Sequence, residues 1–403
     1  MKLGLENITT LLKELGSPEK GFPKVQIAGT NGKGSVCAFL DSIFISSGIR
    51  TGRYTSPHLV SINERIKIAG EDISDEVFAR IATLIRDSSE KLLAEGKLKY
   101  LPTFFEQVTA VALIAFAEVG VELAILETGL GGRFDATTAA KAEIVAITPI
   151  DLDHQEYLGE TLTEIAAEKA AIIRKGVRAV IAEQKPEAMA VIDSALSDNR
   201  VLPDRTASIT SNTEAINLRT TFRSKKAVYE DIRLGLNGDH QIENAKTAIL
   251  LAEVLQDNFN ITQQNIVRGL ENANHPGRLE FDSGILFDGA HNLAGTKALA
   301  QYLTANNDKP VTMIFGVMKD KNISAMAKML FPVAKDLILT PVSNPRAADP
   351  MEILKFVNVQ EKVTIAASAA DALSTALKIS AENLIVVTGS LYLVGEVKKL
   401  LNN

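Results

Sequence analysis

Val25-Gln-Ile-Ala-Gly-Thr-Asn-Gly-Lys-Gly-Ser35 decides the fold. Its first four residues, Val25 to Ala28, form a short apolar run of strand character, and a helical pattern follows from about Ser35 to Ser47, stopped by Gly48. Between them stand Gly29, Thr30, Asn31, Gly32, Lys33 and Gly34. Glycines let backbone N–H groups close around phosphates, and a helix N-terminus adds partial positive charge. Lys33 is placed to reach the terminal phosphates of a nucleotide, with a loop hydroxyl near Mg²⁺. The run is not a literal Walker sequence, because position 27 is Ile and Gly34 separates Lys33 from Ser35. A plain tight turn is the bland alternative; the strand–loop–helix setting favours a phosphate loop.

Further along, Glu122–Glu127 and Glu143–Ile147 read as two more core strands. Helical pattern lies between His154 and Gly176, with Thr161 and Glu164 spaced as a capping box. The stretch from Asn217 to Leu236 alternates loosely, as a small antiparallel excursion would. Asn272-Ala-Asn-His-Pro-Gly277 suits a linker, and strands recur after it at Ile285–Phe287, Val311–Phe315, Asp336–Leu339 and Leu384–Val387. The expected architecture is α/β: a P-loop domain with a mainly parallel sheet over residues 1–274, then a smaller Rossmann-like α/β domain over 275–403. Ligand between two domains is the default geometry.

Composition narrows the function classes. The 403 residues carry a net charge of −6, which opposes nucleic-acid binding. Trp is absent and aromatic content is 5%, so base-stacking platforms are not expected. Apolar runs such as Ala110–Phe116 are too short to cross a bilayer, and the start of the chain has no signal-peptide pattern. Cys37 is the only cysteine, excluding an internal disulfide and any cysteine-cluster metal site. A soluble cytoplasmic monomer acting on small anionic ligands is the expectation, with no nucleic-acid or membrane partner.

Other segments supply candidate chemistry. Glu127-Thr-Gly-Leu-Gly-Gly-Arg-Phe-Asp135 follows a strand but lacks the third glycine of a dinucleotide fingerprint, since Phe134 stands there. Glu127, at its strand's carboxyl end, suits a Mg²⁺ ligand or a backbone cap. Ser56-Pro-His-Leu59, Asp151-Leu-Asp-His154 and Lys169 beside Glu168 are weak alone: a loop His usually hydrogen-bonds, and a helix Lys is usually solvated. Arg278 is equally suited to a phosphate clamp and a linker. Asp288-Gly-Ala-His291-Asn292, after the first strand of the second domain, reads as an active-site wall or a capped helix start.

Taken together, these segments resemble the folylpolyglutamate synthase/dihydrofolate synthase family of the Mur ligase superfamily. The matching runs are VQIAGTNGKGS from Val25, TSPHLVSINERI from Thr55, PTFFE from Pro102, ETGLGGRFDAT from Glu127, LDHQEYLG from Leu152, EKAAIIRKG from Glu168, GDHQIENA from Gly238, HPGR from His275 and FDGAHN from Phe287. They run in family order from about residue 20 to Leu400. Two departures, Leu293 where Pro is common and Gln155 where Thr is common, fall on residues with no ligand role.

The resemblance implies ATP-dependent joining of L-glutamate to a folate or dihydropteroate carboxylate through an acyl phosphate. Gly29 to Ser35 would hold ATP phosphates, with Asn244, Arg278 and Asp288 also contacting ATP. Ser56 and Glu127 would hold one Mg²⁺, and His154 a second with a carbamylated Lys169. Thr103, Phe104, Phe105 and Glu106 would bind the pterin, and His291 would lie near the reacting groups. Two alternatives stand beside this reading. A cell-wall Mur ligase is opposed by PTFFE, and a P-loop ATPase or nucleotide switch leaves the second domain and DGAHN unexplained.

Overall fold

A computed structural model describes residues 4–214, 219–357, 362–379 and 382–401. Its strands are β1 (Lys24–Ala28), β2 (Thr51–Tyr54), β3 (Ile66–Ile68), β4 (Glu71–Asp72), β5 (Leu123–Glu127), β6 (Ile144–Ile147), β7 (Arg178–Ile181) and β8 (Pro203–Arg205). These form one eight-stranded sheet in the order β4-β3-β2-β5-β1-β6-β7-β8. The strands from β2 to β8 run parallel, and β3 and β4 add an antiparallel edge. Continuous apolar character in β1, β5 and β6 follows from burial on both faces, as parallel sheets require. In such sheets ligands collect outside the carboxyl ends of the central strands, here Ala28, Glu127 and Ile147.

Chain order and packing explain where the elements start and stop. The helix after β1 runs Lys33–Ser46, two residues earlier than the sequence pattern suggested, because Gly32 in the left-handed region starts it. Its far end is closed by Asn265, whose Nδ2 donates to the Ser46 carbonyl at 2.6 Å. Between His154 and Gly176 the single helical pattern resolves into two helices, Gln155–Leu158 and Leu162–Ala170. Gly159 breaks the first, and the Thr161–Glu164 capping box starts the second. The loosely alternating region belongs to a three-stranded antiparallel sheet of β9 (Thr210–Glu214), β10 (Arg219–Arg223) and β11 (Val228–Ile232). Asn217, where that reading began, lies outside the described residues. Phe222 and Tyr229 bury their rings there, and the Tyr229 hydroxyl donates to Glu253 at 2.8 Å.

The later strands are β12 (Glu280–Asp282), β13 (Ile285–Asp288), β14 (Val311–Phe315), β15 (Asp336–Leu339), β16 (Lys362–Ile365) and β17 (Leu384–Thr388). They make a second sheet in the order β12-β13-β17-β14-β15-β16, parallel except for β12. One core, with Met313, Phe315, Phe331 and Leu337, covers one face, and Ile285, Ile314, Ile338 and Val387 belong to a core on the other. The compact unit around this sheet comprises His275–Asn403 together with His58–Ser61 and Leu236–Gln241. The two short segments join it through specific contacts. The Leu59 carbonyl lies against Gly395, where a side chain would not fit, and Asn237 Nδ2 donates to the Leu279 carbonyl at 2.9 Å.

Phe315 is fully buried and meets Phe331 edge-on at 5.2 Å between ring centroids. Phe315→Ala is expected to destabilise the second unit by about 3–5 kcal/mol. Chemical denaturation followed by hydrogen exchange in each unit checks it; the loss belongs in β13 to β17, and equal loss in the first sheet would contradict the assignment.

Candidate active site

The Gly29–Ser35 loop crosses the carboxyl ends of β1 and β6. Thr30 N–H and Asn31 N–H both donate to the Pro149 carbonyl, at 3.1 and 3.2 Å, and the Thr30 hydroxyl contacts Asp151. The loop is thus fastened from the β6 side. Gly32 has a φ of +90°, and a Cβ there would lie 2.2 Å from Asn244 Oδ1, so glycine is required on both counts. Asn244 thereby sits against the loop, although 212 positions separate it from Gly32 in the chain (244 − 32). Lys33 and Gly34 form the first turn of the helix, and Ser35 is buried in it.

Two lysines converge on one carbonyl. Lys33 Nζ donates to the Gly29 carbonyl at 3.0 Å and the Thr30 carbonyl at 3.2 Å. Lys169 Nζ donates to the same Gly29 carbonyl at 2.9 Å. Lys169 is buried, and this burial, reinforced by the charge of Lys33, brings its amine down to about 7, with Asp153 and Asp135 acting in the opposite direction. A solvated helix lysine is therefore not what Lys169 is. Asp153, which the sequence reading passed over in favour of its neighbour, belongs to the surroundings of Lys169. His154 has a φ of +52°, and its Nε2 lies 3.9 Å from Asp153 Oδ2.

Glu127 ends β5 and is buried; the Ser56 N–H donates to its Oε2 at 3.0 Å. The structure thus brings Ser56 and Glu127 together. Among the described residues no group of three or more His, Cys, Asp or Glu is arranged to hold a metal alone. This donor set fits Mg²⁺ in its usual phosphate setting, where one or two protein oxygens act with phosphate oxygens and waters. The loop that follows Glu127 folds onto the helix carrying Lys169. Arg133 Nε donates to Glu168 Oε1 at 2.8 Å, and the Arg133 N–H donates to the Glu168 carbonyl at 2.9 Å. A Cβ on Gly132 would lie 2.8 Å from that carbonyl, so a side chain there would push the helix away.

Of the Thr103–Glu106 segment, Thr103 and Glu106 form a capping box for helix Phe104–Val119, with Thr103 N–H and Oγ1 both donating to Glu106 Oε2 at 2.7 and 2.8 Å. Phe105 packs against Tyr54 at 5.9 Å. Phe104 is 57% exposed, and the Arg65 guanidinium lies over its ring at 5.4 Å. Phe104 is therefore the exposed aromatic ring of the segment, and Arg65, given no role of its own in the sequence reading, lies over it.

In the second unit, Asp288 ends β13 and is buried. Its carboxylate accepts from Leu279 N–H and Ala290 N–H at 2.9 Å each. Burial raises its pKa while Arg278 lowers it, so Arg278 and Asp288 are electrostatic neighbours. His240 also faces Arg278, and burial first, then that charge, lowers its pKa to about 4. His291 Nδ1 meets the Gly289 carbonyl at 2.7 Å; a carbonyl only accepts, so Nδ1 carries a proton.

A glycine loop after β1, a carboxylate at the end of β5, a buried lysine of lowered pKa and a second, mainly parallel α/β unit suit an ATP-dependent ligase of the Mur type. Comparison agrees: residues 27–252 match the Mur ligase middle domain, and residues 276–401 match the dihydrofolate synthetase C-terminal domain. The chain belongs to the dihydrofolate synthase/folylpolyglutamate synthase family. The Bacillus subtilis dihydrofolate synthase/folylpolyglutamate synthase is 35% identical, over 100% of this chain and 95% of that protein. Mycobacterium tuberculosis folylpolyglutamate synthase, solved with ADP and AMPPCP, is 32% identical with a TM-score of 0.91, covering 99% of this chain and 96% of its own. Escherichia coli FolC, solved with DHPP and ADP, is 29% identical with a TM-score of 0.89, covering 100% and 94%. A bifunctional folylpolyglutamate synthase/dihydrofolate synthase with Mn, AMPPNP and L-glutamate bound is 26% identical with a TM-score of 0.87, covering 100% and 95%.

The Gly32→Ala substitution follows from this geometry. Backbone strain of about 1–3 kcal/mol, added to the contact with Asn244, is expected to weaken ADP binding roughly tenfold or more while leaving the fold intact. Calorimetric titration with ADP measures it; parental affinity would show that the loop conformation is not what holds the nucleotide.

Proposed function

We propose that this chain uses ATP to join L-glutamate to the carboxylate of a folate-type acceptor, acting on both dihydropteroate and reduced folate. The pairing of Lys33 and Lys169 on the Gly29 carbonyl, together with the Ser56–Glu127 pair at the end of the neighbouring strand β5, is the observation that carries the reading. Carboxylates are poor electrophiles, so the acceptor must first be activated. In the first step an acceptor oxygen bonds to the γ-phosphorus of ATP as the bond to the bridging oxygen breaks, releasing ADP. The N–H groups of Gly32 to Ser35 hold the phosphates, with those of Thr30 and Asn31 tying the loop to the Pro149 carbonyl. Lys33 exchanges its two carbonyl partners for phosphate oxygens, supplying positive charge where negative charge moves.

Ser56 and Glu127 would hold a divalent cation, which when bound neutralises phosphate charge. His154 and a carbamylated Lys169 would hold a second. The neutral amine needed for carbamylation is supported by burial of Lys169 beside Lys33. In the next step the glutamate amine attacks the acyl carbon, phosphate leaves, and the amine loses a proton; we assign its acceptance to His291 Nε2. Arg278, Asp288 and Asn244 are assigned to ATP. Phe104, stacked on Arg65, is assigned to the acceptor's pterin, with Thr103, Phe105 and Glu106 shaping the segment.

Two measurements check this reading. Purified protein with ATP, Mg²⁺ and glutamate is expected to convert dihydropteroate to dihydrofolate and to lengthen a reduced folate. Product from one acceptor alone, with the other saturating, would reduce the function to that activity. Separately, ¹³C-bicarbonate should give a carbamate resonance that fades as pH falls below about 7, where Lys169 becomes protonated, and that is missing from Lys169→Ala. An unmodified lysine together with full activity of the variant would contradict the assignment.

A further inference from the structure

Gln26 lies in the middle of β1 and is 0% exposed. Its Nε2 donates to Thr138 Oγ1 at 2.7 Å, Thr137 Oγ1 at 3.0 Å and Thr128 Oγ1 at 3.2 Å. The direction of these bonds is fixed by the threonines. The Thr137 hydroxyl donates to Asp135 Oδ1 at 2.6 Å, and the Thr138 hydroxyl donates to the Gly132 carbonyl at 2.7 Å. Each hydroxyl has spent its one proton and can only accept from Gln26. The amide nitrogen must therefore face them, and Gln26 Oε1 is left buried with no partner. An orphaned acceptor destabilises a protein, so its retention calls for a reason outside stability.

The loop after Glu127 supplies that reason. Asp135 accepts from Leu130 N–H at 2.9 Å and Thr137 N–H at 3.0 Å, closing the loop on itself. Thr128 N–H continues the sheet ladder to the Ile27 carbonyl. The closed loop leaves Glu127 at one end and presents Gly132 and Arg133 to the helix of Lys169. Among these contacts, the side chain that reaches from β1 to both ends of the loop, Thr128 on one side and Thr137 and Thr138 on the other, is Gln26.

We propose that Gln26 is a positioning residue for the ligase reaction, fixing the Thr128–Thr138 loop so that Glu127 and Lys169 keep their places beside the phosphate loop. This rests on the reading of Glu127 as a divalent-cation ligand. Residues that orient metal ligands typically change metal affinity or activity 10–100-fold when replaced, and Gln26 is expected to fall in that range.

Mn²⁺ titration of the full chain with saturating AMPPCP, read beside kcat and the melting temperature, provides the test. Gln26→Met fills the same space without donors, and Thr138→Val keeps its shape without the hydroxyl. Both are expected to raise the Mn²⁺ dissociation constant roughly tenfold or more and to lower kcat, with the KM for glutamate unchanged. Thr138→Ser restores the hydroxyl and should recover most of both. If Gln26→Met does not fold, Thr138→Val reads the other end of the same bonds. Parental Mn²⁺ affinity and kcat in either folded variant, whatever its melting temperature, would overturn the proposal. Glu127→Gln run alongside separates the two ideas: parental Mn²⁺ binding there would remove the metal reading, and Gln26 would then be judged on kcat alone.

Discussion

The Gly29 carbonyl accepts from two lysine side chains, and the rest of the first unit is organised to make that possible. Two amines on one oxygen repel each other unless one of them gives up its proton. Burial of Lys169 lowers its pKa to about 7, and Lys33 acts in the same direction. The arrangement places a buried amine of lowered pKa and the Lys33 side chain on the same carbonyl of the glycine loop. It depends on three separate pieces of chain: the loop after β1, the helix Leu162–Ala170, and the Glu127–Asp135 loop that seats that helix.

Sheet topology brings those pieces together. β1 is central, with β5 on one side and β6 on the other, so Gly29, Glu127 and Thr148 emerge at the same edge. A strand-end carboxylate beside a phosphate loop follows from that order alone. The details do not. The Ser56 N–H on Glu127, the Pro149 carbonyl under Thr30 and Asn31, and Arg133 on Glu168 are contacts that set the site's shape.

Local signals carried much of this in the sequence. The β1 strand, its glycine loop and the following helix were legible because an apolar run, three glycines and a helical period sit next to one another. Glu127 was legible because it ends an apolar run. Thr161–Glu164 announced its helix correctly, yet the break at Gly159 was missed, since a four-residue helix has too few turns to show a period. Gln26, Asp135, Asp153 and Arg65 were silent for a different reason. Gln26 meets partners 102 to 112 residues away, and Arg65 gains meaning only when Phe104 lies beneath it. Such residues look like ordinary polar substitutions in a linear reading, and only folding supplies their neighbours.

What distinguishes a ligase from a nucleotide-hydrolysing switch on this scaffold is the fate of the acceptor's oxygen. The chain is held to phosphorylate a carboxylate before an amine displaces the phosphate. The most direct measurement therefore uses an acceptor with ¹⁸O at both oxygens of its reacting carboxylate, incubated with the protein, ATP, Mg²⁺ and L-glutamate. One ¹⁸O atom should appear in the released inorganic phosphate for each amide formed. Unlabelled phosphate accompanying amide formation would contradict activation through an acyl phosphate.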